Sequence, residues 1–299
     1  MTSLTSFAPD VPWRIDRTRL AALAERSARD WTIDIVDETG STNADLMEQL
    51  RALPRERAQF DPPPPTVRVA YLQTAGRGRR GHAWLAEPGN ALLMSVGVVL
   101  RRSVERLSGL SLAIGVAVLD ALARLPLSPS ARPALKWPND VLLDDGKLAG
   151  ILIETAWNTP HATAVVIGIG TNLHGADLLA AQVNDANRRA AATPGALPAA
   201  LARAWPDANL TDALAALLDS LDAALPRFEA DGFRPFRQRW TGGHAWAGRE
   251  VTLLDQGLEV ARGIVAGVDD RGQLMIDTPE GPRAIVTGEL SLRLAKERP

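Results

Sequence analysis

Two rhythms of apolar and polar residues run along this chain and divide it into segments. Arg17 to Arg29 carries Leu20 and Leu23 among alanines and charges, the spacing of a short amphipathic helix. Trp31 to Val36 alternates and predicts a strand. The turn Glu38-Thr39-Gly40-Ser41-Thr42-Asn43 then offers three good N-caps for a helix from about Ala44 to Leu53. Phe60 to Pro65 holds four consecutive prolines and predicts a loop. Val67 to Gln73 predicts a strand that enters a glycine- and arginine-rich loop, and Ala91 to Leu100 reads as a buried strand. Leu110, Ile114, Ala117, Leu119 and Leu122 set a helix within Ser108 to Leu125. Leu135 to Leu143 reads as strand, turn and strand around a polar cluster, and Asp144-Asp145-Gly146 signals a hairpin. Lys147 to Thr155 and Ala164 to Ile169 predict further strands. Ala176 to Ala208 shows no firm period and reads as a long loop. Thr211 to Glu229 predicts an amphipathic helix capped by Thr211 or Asn209. Beyond Gly243, five short apolar runs between turn signals predict a small β-barrel or sandwich. Residues 1–243 therefore read as one domain, with 1–30 as an N-terminal extension, and 244–299 as a second.

Length and composition narrow the function classes. A chain of 299 residues suits about two domains. The formal net charge of −2 lacks the basic excess usual for nucleic-acid binding. Without cysteine there is no disulfide, thiolate metal site or cysteine nucleophile. The longest nearly apolar run is about half a membrane span, and no secretion signal is visible, so a cytoplasmic protein is expected. The four histidines show no metal-ligand spacing. Lysine occurs only at 136, 147 and 296, while arginine fills the basic role elsewhere. A lysine kept in such a background suits places where a compact point charge serves and a planar fork does not.

Five polar stretches carry candidate chemistry. Gln73-Thr74-Ala75-Gly76-Arg77-Gly78-Arg79-Arg80-Gly81 combines flexible backbone with forked cations, which suits an anion; the bland alternative is a solvated basic loop. Its GxGxxG match is weak, because the residues after Gly81 do not look like a helix. Lys136-Trp137-Pro138-Asn139-Asp140 sets lysine, amide and carboxylate on a proline-stiffened turn, or is a plain hairpin tip. Gly146 to Glu154 opens with Lys147 and keeps Ala149 and Gly150 small, which permits close approach of a ligand. Gly168-Ile169-Gly170-Thr171-Asn172 does the same at a strand end, or is a turn. Ser41-Thr42-Asn43 supplies neutral donors and acceptors, or merely caps a helix. Taken together, cations beside neutral hydrogen-bonding groups, with no evident nucleophile, suit positioning and electrostatic stabilisation at phosphorus, as in nucleotidyl transfer.

The stretches GSTNADL, AYLQTAGRGRRGHAW, LSLAIGVAVLDAL, LKWPNDVLL, GKLAGILIE and VIGIGTN, in that order, resemble the biotin protein ligase family. The resemblance implies an α+β fold: a mixed β-sheet flanked by helices, the core shared with class II synthetases, then a small SH3-like β-barrel. It implies ATP-dependent conversion of biotin to biotinyl-5′-AMP with loss of pyrophosphate. Biotin then passes to a lysine of a biotin carboxyl carrier protein. By motif position Ser41, Thr42, Asn43 and Gln73 would hold biotin, with Arg77, Gly78 and Arg79 in the loop closing over the adenylate. Lys147 would touch the biotin carboxylate and the α-phosphate, and with Arg77 and Arg79 would be catalytic. Arg80, Trp84, Lys136, Asn139, Asp140 and Asn172 would serve ATP, with Asp140 a possible Mg²⁺ contact and no metal site made by protein alone. Trp84 either packs under the closed loop or belongs to the core.

Some features depart from the family. Thirty residues ahead of the core leave no room for a DNA-binding domain, so no DNA partner is expected. His82 stands where an arginine is frequent, and the adenine-stacking aromatic has no clear position, Trp205 being the nearest. Monomer and homodimer both stay open. Rival readings are a lipoate protein ligase, a nucleic-acid-binding protein using the basic loop, and a nucleotide-dependent oxidoreductase.

Overall fold

In the computed structural model, the described residues are 13–24, 30–189, 197–255, 258–286 and 290–295. Lys296, residues 25–29 of the first expected helix and residues 190–196 of the expected loop lie outside them.

A seven-stranded sheet organises the core. Its strands are β1 (Thr32–Thr39), β2 (Thr66–Gln73), β3 (Ala91–Leu100), β4 (Pro133–Lys136), β5 (Asp140–Leu143), β6 (Gly146–Asn158) and β7 (Thr163–Asn172), in the order β1-β2-β3-β7-β6-β5-β4. β1 and β2 run parallel and the other neighbours antiparallel, so the sheet is mixed. Helices α1 (Arg17–Leu23), α2 (Thr42–Ala52), α3 (Leu110–Leu122), α4 (Ala176–Arg189), α5 (Leu210–Asp231) and α6 (Arg237–Gly242) complete it.

Both faces of the sheet are covered, which is why β3 is buried at all ten positions. The two-residue period of a strand then sorts its side chains by face. On β7, Val165, Ile167 and Ile169 join the main core with α3 and α5. Ala164 and Val166 point the other way and pack beneath Leu46, Met47 and Leu50 of α2. The next two positions on that second face are Gly168 and Gly170. With no side chains there, the layer opens into a cleft.

The N-terminal extension is stitched to this core. The Ile15 amide donates to the Tyr71 hydroxyl at 3.0 Å, and Trp13 meets the Tyr71 ring edge-on at 5.1 Å. Arg19 forms a two-pronged bond with Asp212 at the start of α5, whose N-cap is Asn209, accepting from the Asp212 amide.

The stretch 176–208 departs from expectation. Residues Ala176–Arg189 form α4, and Leu201–Arg203 make a short 3₁₀ turn. Leu179 and Val183 stand four apart within α4, a helical spacing diluted in the expectation by the Ala- and Pro-rich residues that follow Arg189.

The C-terminal strands β8 (Glu250–Asp255), β9 (Leu258–Val268), β10 (Leu274–Thr278), β11 (Gly281–Ile285) and β12 (Leu290–Leu294) form one antiparallel sheet in the order β11-β10-β9-β8-β12. Five strands are present as expected. Among the described residues, however, β11 and β12 do not pair with each other, so a closed barrel is not seen. This sheet touches the core at defined points: the Trp137 indole donates to the Gly272 carbonyl at 3.2 Å, and Ser108 to that of Arg271 at 2.6 Å. Among the described residues no helix is long and apolar enough to cross a membrane.

Candidate active site

A cleft lies over Gly168 and Gly170. One end is neutral. The turn after β1 delivers Ser41, Thr42 and Asn43 to the start of α2. Ser41 occupies the N-cap position without a side-chain cap bond, leaving its hydroxyl out of the helix's own bonding. Gln73, at the end of β2, accepts from the Thr42 amide at 2.8 Å. Because β1 and β2 are parallel neighbours, with Thr39 opposite Gln73, both groups arrive at the same sheet end.

The other end is cationic. The hairpins β4–β5 and β5–β6 set Lys136 opposite Asp140 and Lys147 beside Leu142. Asp140 thereby stands between two lysines, 2.8 Å from Lys147 and 3.4 Å from Lys136. Burial alone would raise the Asp140 carboxyl, but Lys147 and Lys136 outweigh it and hold its pKa below the ordinary value. Burial lowers the Lys136 pKa more than Asp140 restores it, with Arg293 and Lys147 also lowering it. Trp246 covers Lys136, its ring 5.2 Å from the ammonium.

The loop after β2 bridges the two ends. Arg77 reaches Glu154 on β6 at 3.4 Å, and Arg79 donates to the Asn139 side chain at 3.3 Å. The loop closes on itself through Gly78 to His82 at 2.7 Å and Trp84 to Gly76 at 3.0 Å. It continues into a short 3₁₀ turn over Arg79–Gly81 and not into a helix, which removes the dinucleotide-fold reading of its glycines. Trp84 lies across Gly150 and Gly170; a Cβ on Gly170 would come within 2.4 Å of the indole. Its indole N–H has no partner among the described residues.

These features can hold an uncharged polar group at one end and a carboxylate or phosphate at the other. Residues 46–172 match the Biotin/lipoate A/B protein ligase family, and 247–293 match the Biotin protein ligase C terminal domain. A biotin–[acetyl-CoA-carboxylase] ligase of Paracoccus denitrificans is 38% identical over 228 residues, covering 74% of this chain and 88% of that protein. This chain belongs to the biotin protein ligase family. A second biotin–[acetyl-CoA-carboxylase] ligase, from Mycobacterium tuberculosis, is 45% identical over 169 residues, covering 53% of this chain and 59% of that protein. A biotin protein ligase from Aquifex aeolicus, solved in complex with biotin and ATP, superposes with a TM-score of 0.65 at 26% identity, covering 88% of this chain and 99% of that one.

In this ligase the cleft is lined by Ser41, Thr42, Asn43, Gln73, Arg77, Gly78, Arg79, Trp84, Asn139 and Lys147. Lys136 and Asp140 sit just behind Lys147. The side chain of Arg80 lies outside the described residues. Asn172 is buried and donates to the carbonyls of Lys147 at 3.3 Å and Ala199 at 3.1 Å, while its Oδ1 has no partner among the described residues. It borders a smaller pocket under α4. Asp140 has both its oxygens engaged by lysines, which is not the arrangement of an open Mg²⁺ ligand. Trp205 is packed into the main core and offers no free face. Sequence reasoning missed Ser95, which bonds both Thr42 and Asn43 at 2.6 Å. Its signal was one hydroxyl inside a ten-residue apolar run.

Proposed function

We propose that this ligase activates biotin with ATP and passes it to a lysine of a biotin carboxyl carrier protein. One observation carries the reading: a neutral polar pocket and a cluster of cations lie at opposite ends of a single cleft. Biotin is a neutral ureido ring joined by an apolar chain to a carboxylate. Ser41, Thr42 and Gln73 suit the ureido ring, and the chain would lie over Gly168 and Gly170.

Adenylation requires a carboxylate oxygen to bond to the α-phosphorus while the bond to the pyrophosphate oxygen breaks. Both reactants are anionic. Lys147 and the loop cations Arg77 and Arg79 offset that repulsion, each charge-assisted hydrogen bond contributing about 1.5–3 kcal/mol. Asp140 keeps the Lys147 ammonium in place. In the second step the carrier's amine attacks the acyl carbon, AMP leaves and the amine gives up a proton. The loop and Trp84 would exclude water from the adenylate meanwhile.

Among the described residues no three potential metal ligands cluster, and Asp140 is committed to lysines. We therefore read Mg²⁺ as arriving with ATP, held mainly by its phosphates. The five-stranded sheet is read as SH3-like, and the reaction is placed in the cytoplasm.

The test is biotin-dependent exchange of pyrophosphate into ATP, beside lipoate and no-acid controls. Exchange with biotin alone supports the proposal. Exchange with lipoate alone would keep the chemistry and overturn the substrate, and exchange with neither would overturn both.

A further inference from the structure

An ion pair and a series of hydrogen bonds, buried at its inner end, run from the loop cation to the neutral end of the cleft, and each step has a defined donor. Arg77 has only donors, and it meets Oε2 of Glu154 at 3.4 Å. The Asn43 side chain lies 2.8 Å from the same oxygen and 3.4 Å from the Leu152 carbonyl. Both of those neighbours only accept, so the Asn43 amide nitrogen must face them. Its Oδ1 is thereby turned to Ser95, 2.6 Å away, and an amide oxygen cannot donate. Ser95 must therefore spend its single proton on Asn43. The 2.6 Å contact between Ser95 and Thr42 then has one remaining donor, the Thr42 hydroxyl.

The consequence falls on the cleft. Thr42 has no second proton, and it can show a ligand only lone pairs. The Gln73 Oε1 at 3.1 Å is the alternative acceptor, but it is farther and already takes the Thr42 amide. Ser95 is fully enclosed and Asn43 nearly so, so no solvent is at hand to reverse the order. Gly168 makes room for it, since a Cβ there would lie 2.3 Å from Asn43 Oδ1.

We infer that Glu154, acting through Asn43 and Ser95, is a positioning residue that fixes Thr42 as an acceptor and so selects ligands presenting an N–H donor there. The inference rests on the reading that the neutral end holds the ureido ring of biotin. It gives a role to a carboxylate that does not itself line the cleft.

The experiment is calorimetric titration of the wild-type protein, Ser95→Ala and Glu154→Leu. The ligands are biotin, lipoate and the two biotin analogues in which one ring N–H is replaced by oxygen. Wild type should disfavour the analogue that turns oxygen towards Thr42 by about tenfold or more against biotin. In Ser95→Ala the Thr42 proton is left to Gln73 Oε1 or to the ligand, and that penalty should shrink about tenfold. Glu154→Leu removes the 2.8 Å acceptor that holds the Asn43 nitrogen and leaves only the Leu152 carbonyl at 3.4 Å, so the order loses its anchor and the same penalty should shrink. In both variants the KM for biotin should rise while the KM for ATP holds; a purely structural defect would move both. An unchanged biotin-to-analogue ratio in the folded variants would overturn the inference and leave the biotin reading standing. A wild-type protein that binds lipoate as tightly as biotin would overturn the ureido reading beneath it.

Discussion

Asp140 Oδ1 lies 2.8 Å from the Lys147 ammonium, while its other oxygen lies 3.4 Å from Lys136. One carboxylate thus serves two lysines brought together by successive hairpins. Replacing Asp140 with Asn would leave Lys136, only 6% exposed, without its counter-charge. Breaking a buried pair from one side costs about 3–5 kcal/mol. Asp140→Asn should lower stability in urea unfolding by about that amount. Adding Lys136→Met should recover part of it; no recovery would mean the pair is not what holds this corner.

Lys147 is the cation of that pair which also lines the cleft. Lys147→Ala should reduce biotin-dependent pyrophosphate exchange by about 10²–10³-fold, the usual cost of losing one preorganised charge stabiliser. Lys147→Arg should restore little, since a planar fork does not reproduce a point charge beside Asp140 and Trp84. Wild-type exchange in Lys147→Ala would remove the residue from the chemistry.

Arg79 ties the glycine-rich loop to Asn139. Arg79→Gly should loosen the loop and let the acyl-adenylate escape. The measurement is labelling of lysines on a bystander protein in the presence of biotin and ATP. It should rise well above wild type, while bystander labelling at the wild-type level would show that the loop retains the intermediate without this arginine.

His244 lies at the join between core and C-terminal sheet. Burial lowers its pKa from 6.5 to about 4. The unfolded chain therefore takes up this proton first as the pH falls. Stability is full above about pH 6.5 and drains as the pH approaches 4, by about 3 kcal/mol for a shift of this size. Asn at this position could still accept from the Trp246 amide, as His244 Nδ1 does at 3.3 Å. His244→Asn should flatten the difference in urea midpoint between pH 7.5 and pH 5. An equal difference in both proteins would assign the acid sensitivity elsewhere.

The sequence made legible what is contiguous. KWPND and GKLAG reveal their lysines because each motif is compact and lysine is scarce, and the hairpin signal at Asp144 to Gly146 brings the two together. The second sheet was readable from its turn residues. What escaped depended on contacts between distant strands. Ser95 looks like a lapse in an apolar run until β7 and α2 are laid against it. Glu154 ends the GKLAGILIE motif with no visible role, because Asn43 lies 111 positions away. That Asn172 donates to the Ala199 carbonyl was equally out of view, because the chain near Ala199 returns to it from 27 positions away. Helix α4 was read together with the Ala- and Pro-rich residues after Arg189, which hid the helical spacing of Leu179 and Val183.

The scarcity of lysine has a chemical consequence once the cleft is known. An acyl-adenylate acylates whatever free amine it meets, including those of the protein that makes it. Of the described lysines, Lys136 is sealed beneath Trp246, and Lys147 is ion-paired with Asp140 at 2.8 Å. Arginine, which fills the remaining cationic positions around the cleft, is no nucleophile at neutral pH. A reactive intermediate held here would be surrounded by positive charge and by few groups it could modify, so little self-labelling is expected while it waits for its acceptor.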